Sequence, residues 1–330
     1  MSSKLHNFTA KHLTNACIST QFQGICCLPC LAFCPTPRSA ILMRMELTDT
    51  HSHTWYSGHG EGFPQDLVES AIAKGLTTLA ITEHLTLPFV FDRDGGYSMT
   101  AEQVPVYLQQ IEAARAAHPE IEVICGCEVD WRHGGADFIL GEIAKAKNQY
   151  NTPYQLIIGS VHMLTGEPGS EPDSYWPLDY IKTIDGWYER GPRYVWEHYV
   201  ELWVEAVQSP VPFTVMAHPD LPKKLGFFPD FDAAPLWRQM AEAAAAADVL
   251  VELNSSGLFY TCEEVFSGPV LLAEFCRAGV PCTISADSHH PDHVARAHAL
   301  AVQAMLQAGY RVATIPTADG DRRQIPLLST

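Results

Sequence analysis

The chain is short of several things, and each shortage narrows what it can be. No apolar run reaches the roughly 18 residues that a spanning helix needs, which excludes a helical membrane protein. Positive charge is scarce: 21 Lys and Arg stand against 38 Asp and Glu among 330 residues, a formal charge of −17. Such a chain repels phosphate backbones and anionic lipid, so neither nucleic acid nor a membrane surface is expected as a partner. No internal period marks a solenoid, and no glycine-rich turn follows the first expected strand, which lowers a dinucleotide-binding open sheet. Charged residues are only 18% of the chain while 47% are hydrophobic, enough to bury a large core.

Acidic residues are absent altogether from residues 1–44, which hold Lys4, Lys11, Arg38 and Arg44 together with five of the ten cysteines. Cys27-x-x-Cys30 has no second pair to complete a zinc site. The stretch Gly24 to Phe33 is apolar, but a long polar segment precedes it and Phe33 stands where a lipoprotein cleavage site needs a small residue. The expectation is a disordered leader, or an upstream start with Met43 or Met45 as the functional beginning, followed by one domain over residues 45–330. Cys125, Cys127, Cys262, Cys276 and Cys282 lie in apolar stretches and read as buried free thiols, which fits a reducing cytoplasm.

From Met45 onward, short β-rich runs alternate with alanine-rich helical segments. Strands are expected over 46–50, 77–82, 122–127, 155–160, 213–217, 249–253 and 281–285. Helices are expected over 64–74, 101–118, 136–150, 194–208, 233–247, 270–278 and 292–308. Pro64 suits a first helical turn, Thr100 with Gln103 makes a capping box, and Gly75, Gly279 and Gly309 follow helix ends. Seven βα units predict an α/β fold, a distorted seven-fold TIM-like barrel; an open doubly wound sheet is the alternative.

Each expected strand ends in a group able to bind metal. Asp49, His51, His53 and His59 follow the first, Glu83 and His84 the second, Glu128 the third, His162 the fourth, His218 the fifth, Glu252 the sixth, and Asp287 with His289 the seventh. In a parallel barrel all these ends meet at one face, where catalytic groups gather. Alternation along a strand points both imidazoles of His51-x-His53 the same way. A lone histidine is more often a satisfied polar group than a ligand, but seven histidines and two acids at six of the seven strand ends exceed the needs of one ion. Imidazole with carboxylate suits zinc, manganese or iron, two or three ions in all. Asp49, Glu83 and Glu252 rank below the nine, as groups that could orient a neighbouring histidine.

These motifs resemble those of the PHP (polymerase and histidinol phosphatase) metal-dependent phosphoesterases. The opening run from Asp49 through His51 and His53 to His59 carries the likeness, followed by Ile81-Thr-Glu-His84, Gly126-Cys-Glu128, Gly159-Ser-Val-His162, Ala217-His218-Pro and Asp287-Ser-His289. The resemblance implies a trinuclear divalent-metal centre at the C-terminal ends of the strands. Its first ion falls on His51, His53, Glu128 and Asp287, its second on His59, His84 and His289, and its third on Glu128, His162 and His218. Chain length, the His218-Pro-Asp-Leu-Pro-Lys-Lys224 stretch, the Glu252 to Gly257 stretch and Trp176-Pro-Leu-Asp179 are similar to the histidinol-phosphatase branch.

The resemblance then implies a phosphomonoesterase of histidine biosynthesis that hydrolyses L-histidinol phosphate by attack of a metal-bridging hydroxide, with Asp287 and Glu128 as catalytic groups. The competing reading is a broader phosphoesterase for nucleotides or short oligonucleotides. A noncatalytic metal-binding module is disfavoured by the complete ligand set, and a cyclic amidohydrolase by the lack of a strand-end lysine. A cation should hold the phosphate. Arg193, at the start of a helix, is the choice over Arg132, Lys223 and Arg190. The long segment 165–192 carries Tyr175, Trp176, Tyr180, Trp187 and Tyr188, either a lid for an imidazole substrate or a small satellite core. The partner is a small phosphate monoester; a homo-oligomer is left open.

Overall fold

The computed structural model describes residues 46–171 and 173–327. The expected leader, residues 1–44, lies outside them. The strands in chain order are β1 (Leu47–Asp49), β2 (Leu76–His84), β3 (Glu122–Asp130), β4 (Leu156–Ser160), β5 (Met163–Thr165), β6 (Tyr175–Pro177), β7 (Val215–Met216), β8 (Leu250–Asn254), β9 (Cys282–Ser285), β10 (Val312–Pro316) and β11 (Arg322–Pro326). The α-helices are α1 (Pro64–Lys74), α2 (Val104–Ala117), α3 (Ala136–Tyr150), α4 (Asp185–Arg190), α5 (Pro192–Gln208), α6 (Ala234–Ala247), α7 (Pro269–Arg277) and α8 (His298–Ala308).

Seven strands make one parallel sheet in the order β1-β2-β3-β4-β7-β8-β9, the seven expected from the sequence. The sheet curls on itself just beyond its edge strands: Thr50 donates its N–H to the Ile284 carbonyl at 3.4 Å, and Ser52 bridges Ser288. The result is a distorted, nearly closed TIM-like barrel, as predicted.

Period-2 alternation sorts the strand residues into two cores. Val123, Cys125, Cys127 and Val129 of β3 face the helices with Leu79 and Ile81 of β2. Ile124 turns the other way, into the barrel, with Ala80, Leu156, Ile158, Val215, Ala217 and Leu250. Glu128 and Asp130 lie four and six residues beyond Ile124, and Glu252 and Asn254 two and four beyond Leu250, so all four share the inner face, above the apolar plug.

Helix boundaries follow local chemistry. Pro64 opens α1, the Phe63 N–H donates back to Asp66 at 2.7 Å, and Gly75, at φ +79°, ends it. The last helix departs from expectation. It begins at His298, not near Asp292, because Ala295 and Ala297 stand in the left-handed region at φ +52° and +57°, and the Ala295 N–H is tied to the Asp49 carboxylate at 2.7 Å.

The sequence reading missed the hairpin β10–β11. Its turn residue Ala318 packs on the apolar interior of the barrel and donates its N–H to Glu122 at 2.8 Å, while Gln155 donates to the Ala318 carbonyl. The hairpin thereby covers the N-terminal end, opposite the strand ends that carry the histidines. Among the described residues no helix is long and apolar enough to cross a membrane.

Candidate metal centre

His51 and His53 leave the end of β1 pointing the same way, and their Nε2 atoms face each other at 3.0 Å. Their outer nitrogens are already taken: His51 Nδ1 lies 2.8 Å from Glu252, and His53 Nδ1 lies 3.2 Å from Glu83. Glu83 also accepts the Thr54 N–H at 2.9 Å. Glu252 accepts the His218 N–H at 2.8 Å and Asn254 Nδ2 at 3.0 Å. Both glutamates are therefore orienting groups, as the sequence suggested. Asp49 holds backbone instead, accepting the N–H of Ala286 at 3.0 Å and of Ala295.

Glu128 divides its two oxygens. Oε2 lies 3.3, 3.2 and 3.3 Å from ring nitrogens of His51, His53 and His84; Oε1 lies 3.1 Å from His218 and 3.8 Å from His162. Asp287 Oδ1 lies 3.7, 3.4 and 3.6 Å from His51, His53 and His289, yet accepts no hydrogen bond. The His289 ring stacks on His53 at 4.4 Å between centroids, and His59 lies 4.8 Å from His289.

Four sets of ligand atoms converge within 4.8 Å: His51, His53 and Asp287; His53, His84 and His289; Glu128, His162 and His218; and His84, Asp130 and His162. The first and third correspond to expected groups. The second has His53 beside His84 and His289, with His59 next to it, and the fourth is unforeseen. The donor set fits divalent ions: imidazole nitrogens are turned toward each other and toward carboxylates, while His218 Nδ1 and Asp287 Oδ1 are buried without partners. His218 and Asp287 also have positive φ, +23° and +49°, strain of the kind stored where side chains must be aimed.

Electrostatics keeps the acids ionised. Burial pushes the Glu128 carboxyl up, but the imidazoles of His84, His51 and His162 outweigh it and hold it well below the usual range. Burial likewise opposes ionisation of Asp287, and His51 and His53 overcome it. Burial pulls His162 down, but Asp130 and Glu128 raise it to about 9. His59 is lowered to about 4 by burial and by its neighbours His84 and His53.

Asp130 and Tyr97 were missed. Asp130 accepts from His84, His162 and the Tyr97 hydroxyl. The signal was present in Glu128-x-Asp130, the same spacing that identified His51-x-His53.

The four cations named from sequence are engaged elsewhere. Arg193 lies on the first turn of α5, its side chain 66% exposed, with Nε 3.0 Å from Glu197 and its guanidinium over Phe231. Arg190 forks onto Glu167, Lys223 is buried between Asp220 and Glu264, and Arg132 stacks on Phe91 and Phe138. Two others sense the Asp287 charge, Lys224 and Arg296. Lys224 Nζ lies 2.7 Å from Asp179 and 4.7 Å over the Tyr260 ring. The Arg296 guanidinium lies 3.4 Å over Phe259, with Nε buried and unbonded. In the long loop, Trp176 and Trp187 are buried edge to face and Trp187 stacks on Phe227, a satellite core; Tyr180 and Tyr188 are exposed.

Comparison with known proteins agrees with this geometry. The PHP domain model matches residues 49–256. A curated relative from Deinococcus radiodurans, "Probable histidinol-phosphatase", is 28% identical over 270 residues, 81% of this chain and 96% of the relative. A Lactococcus lactis histidinol phosphate phosphatase, solved with zinc, L-histidinol and phosphate, superposes with a TM-score of 0.66 at 22% identity, covering 82% of this chain and 97% of that one. A Listeria monocytogenes structure whose proposed activity is histidinol phosphatase gives 0.69 at 19% identity, covering 77% and 99%.

Proposed function

Because the chain belongs to the PHP domain family, we propose that it is a metal-dependent phosphomonoesterase that hydrolyses L-histidinol phosphate to L-histidinol and phosphate. The observation that carries the reading is the split of the Glu128 carboxylate between His51, His53 and His84 on one oxygen and His162 and His218 on the other. A single buried acid so placed joins several imidazole groups into one polynuclear site. We assign one ion to His51, His53, Glu128 and Asp287, a second to His59, His84 and His289, and a third to Glu128, His162 and His218, with zinc, manganese and iron as the metals their donors suit.

When bound, the divalent ions supply positive charge to the phosphate oxygens and make water acidic enough to attack phosphorus at neutral pH. The chain's own residues do the rest. Glu83 and Glu252 fix the rings of His53 and His51. Asp287, ionised and facing His51 and His53 through Oδ1, would help hold the first ion by that atom, leaving its other oxygen to take a proton from the attacking water and return it to the departing alkoxide oxygen. Lys224 and Arg296, whose charges interact with that of Asp287, would lessen the repulsion that a dianionic ester meets from an otherwise acidic protein. Arg193 would reach the phosphate only after leaving Glu197.

The substrate assignment draws on the Deinococcus relative, which this chain covers almost end to end. A cytoplasmic setting completes the reading: Cys125, Cys127, Cys262, Cys276 and Cys282 all carry free thiols.

The test compares kcat/KM of the metal-loaded protein for histidinol phosphate, p-nitrophenyl phosphate and nucleoside monophosphates. A preference of at least about a hundredfold for histidinol phosphate, roughly 2.7 kcal/mol of discrimination, is expected. A flat profile would keep the hydrolytic chemistry and overturn the substrate.

A further inference from the structure

Asp130 stands outside the three ligand groups assigned above, yet it touches two of them. It ends β3 on the same face as Glu128 and is 3% exposed. Its Oδ2 accepts from His84 Nδ1 at 3.1 Å, and its Oδ1 accepts from His162 Nδ1 at 2.5 Å and from the Tyr97 hydroxyl at 3.2 Å. His162 commits Nδ1 to this carboxylate and turns Nε2 toward Glu128 at 3.8 Å, while His84 Nδ1 is shared between Asp130 and Glu128 Oε2, 3.3 Å away, so that Asp130 braces both rings. One carboxylate therefore fixes the rings of two ligands that serve different ions.

Tyr97 is itself held in place. Its loop is closed by the Asp92 carboxylate, which accepts the N–H of Gly96 at 3.1 Å and of Ser98 at 2.9 Å. Gly58, at φ +78°, approaches so near that a Cβ there would lie 3.0 Å from the Gly96 backbone, so the loops after β1 and β2 interlock. The tyrosine ring then lies 5.0 Å from His84 and 5.8 Å from His59. His51 and His53, in contrast, take their outer partners from Glu252 and Glu83.

We propose that Asp130 is a positioning residue shared by two metal centres, clamped by Tyr97, so that the ion on His84 and the ion on His162 are gained and lost together. The inference rests on the polynuclear reading above. Asp130 accepts from none of His51, His53 and Asp287, so the ion that they hold with Glu128 should shift least.

The test counts bound Zn²⁺ by atomic emission after dialysis of wild type and Asp130→Asn against buffered free Zn²⁺, with no substrate present. The amide cannot accept both imidazole N–H groups with a full negative charge. The free Zn²⁺ needed to half-load two of the ions should rise about 10–100-fold together, while the third moves less than about threefold. A uniform shift of every ion, as general loosening would give, overturns the proposal. So does a shift of one ion alone or of none. Wild type that binds no ion would instead overturn the metal-centre reading itself. If circular dichroism shows Asp130→Asn unfolded, Tyr97→Phe decides: the same two ions should weaken, by a smaller factor of about three or more, and an unchanged isotherm rejects the clamp.

Discussion

His51 and His53 turn their Nε2 atoms toward each other across 3.0 Å, each braced from behind by a glutamate on a different strand. That opposition defines a cation site, and removing one side should abolish it. His53→Ala is expected to lower phosphate release by at least about a thousandfold and to remove bound metal, with the circular dichroism of the fold retained. Wild-type turnover in this variant, measured by phosphate release from histidinol phosphate, would show that the paired imidazoles are not the reactive centre.

The two cations near Asp287 give a second prediction. If Lys224 exchanges Asp179 for the phosphate on substrate binding, Lys224→Met should reduce kcat/KM about 10–100-fold, mainly through KM, because a charge-assisted contact contributes on the order of 1.5–3 kcal/mol. Arg193, spread over Phe231 and paired with Glu197, should matter less when changed to Ala. Steady-state kinetics on histidinol phosphate ranks the two. A larger loss in Arg193→Ala would return the phosphate to the helix start.

The residues that converge were legible in the sequence because they sit at strand ends, where alternation and the barrel topology fix both place and direction. His51, His53, Glu128, His162, His218 and Asp287 needed nothing more than that. Asp130 obeys the same alternation but acts one layer out, and its role emerges only when the loop bearing Tyr97 closes on it. Lys224 and Arg296 owe their positions to a short turn after β7 and to two alanines with positive φ, paths that no hydrophobic period encodes. Hairpin β10–β11 follows the last expected helix and packs through one small residue, Ala318, so nothing in its composition marked it as the cover of the barrel floor.

An ion pair in the long segment before α5 predicts a pH dependence. Arg190 forks onto Glu167 at 2.8 and 2.9 Å, and its N–H groups hold the Glu167 carboxyl below the usual range. A carboxyl with a depressed folded value stabilises fully above its unfolded value of about 4.3, and that contribution is lost as pH falls through the folded value. Glu167→Gln should therefore lower Tm by roughly 1–3 °C at pH 7, as expected for a partly exposed pair, with the difference closing below about pH 4. Differential scanning calorimetry between pH 3 and 8 would refute the pairing if the gap stayed constant.

The barrel interior sets the last prediction. Gly126 lies on the inner face of β3 between Ile124 and Glu128, and a Cβ there would stand 2.8 Å from both the Leu156 carbonyl oxygen and Thr82 Cγ2. The oxygen belongs to the backbone of β4, which is held in register with β3 and cannot withdraw without breaking the ladder. Gly126→Ala should therefore cost about 1–3 kcal/mol by overpacking, a fall in Tm of roughly 3–10 °C. Because Glu128 is two residues away on the same strand, any relief by outward movement of β3 would displace its carboxylate from the five imidazoles it faces. Loss of stability should thus come with loss of bound metal, and a variant that melts like wild type with full metal content would show that the strand has room that the geometry denies.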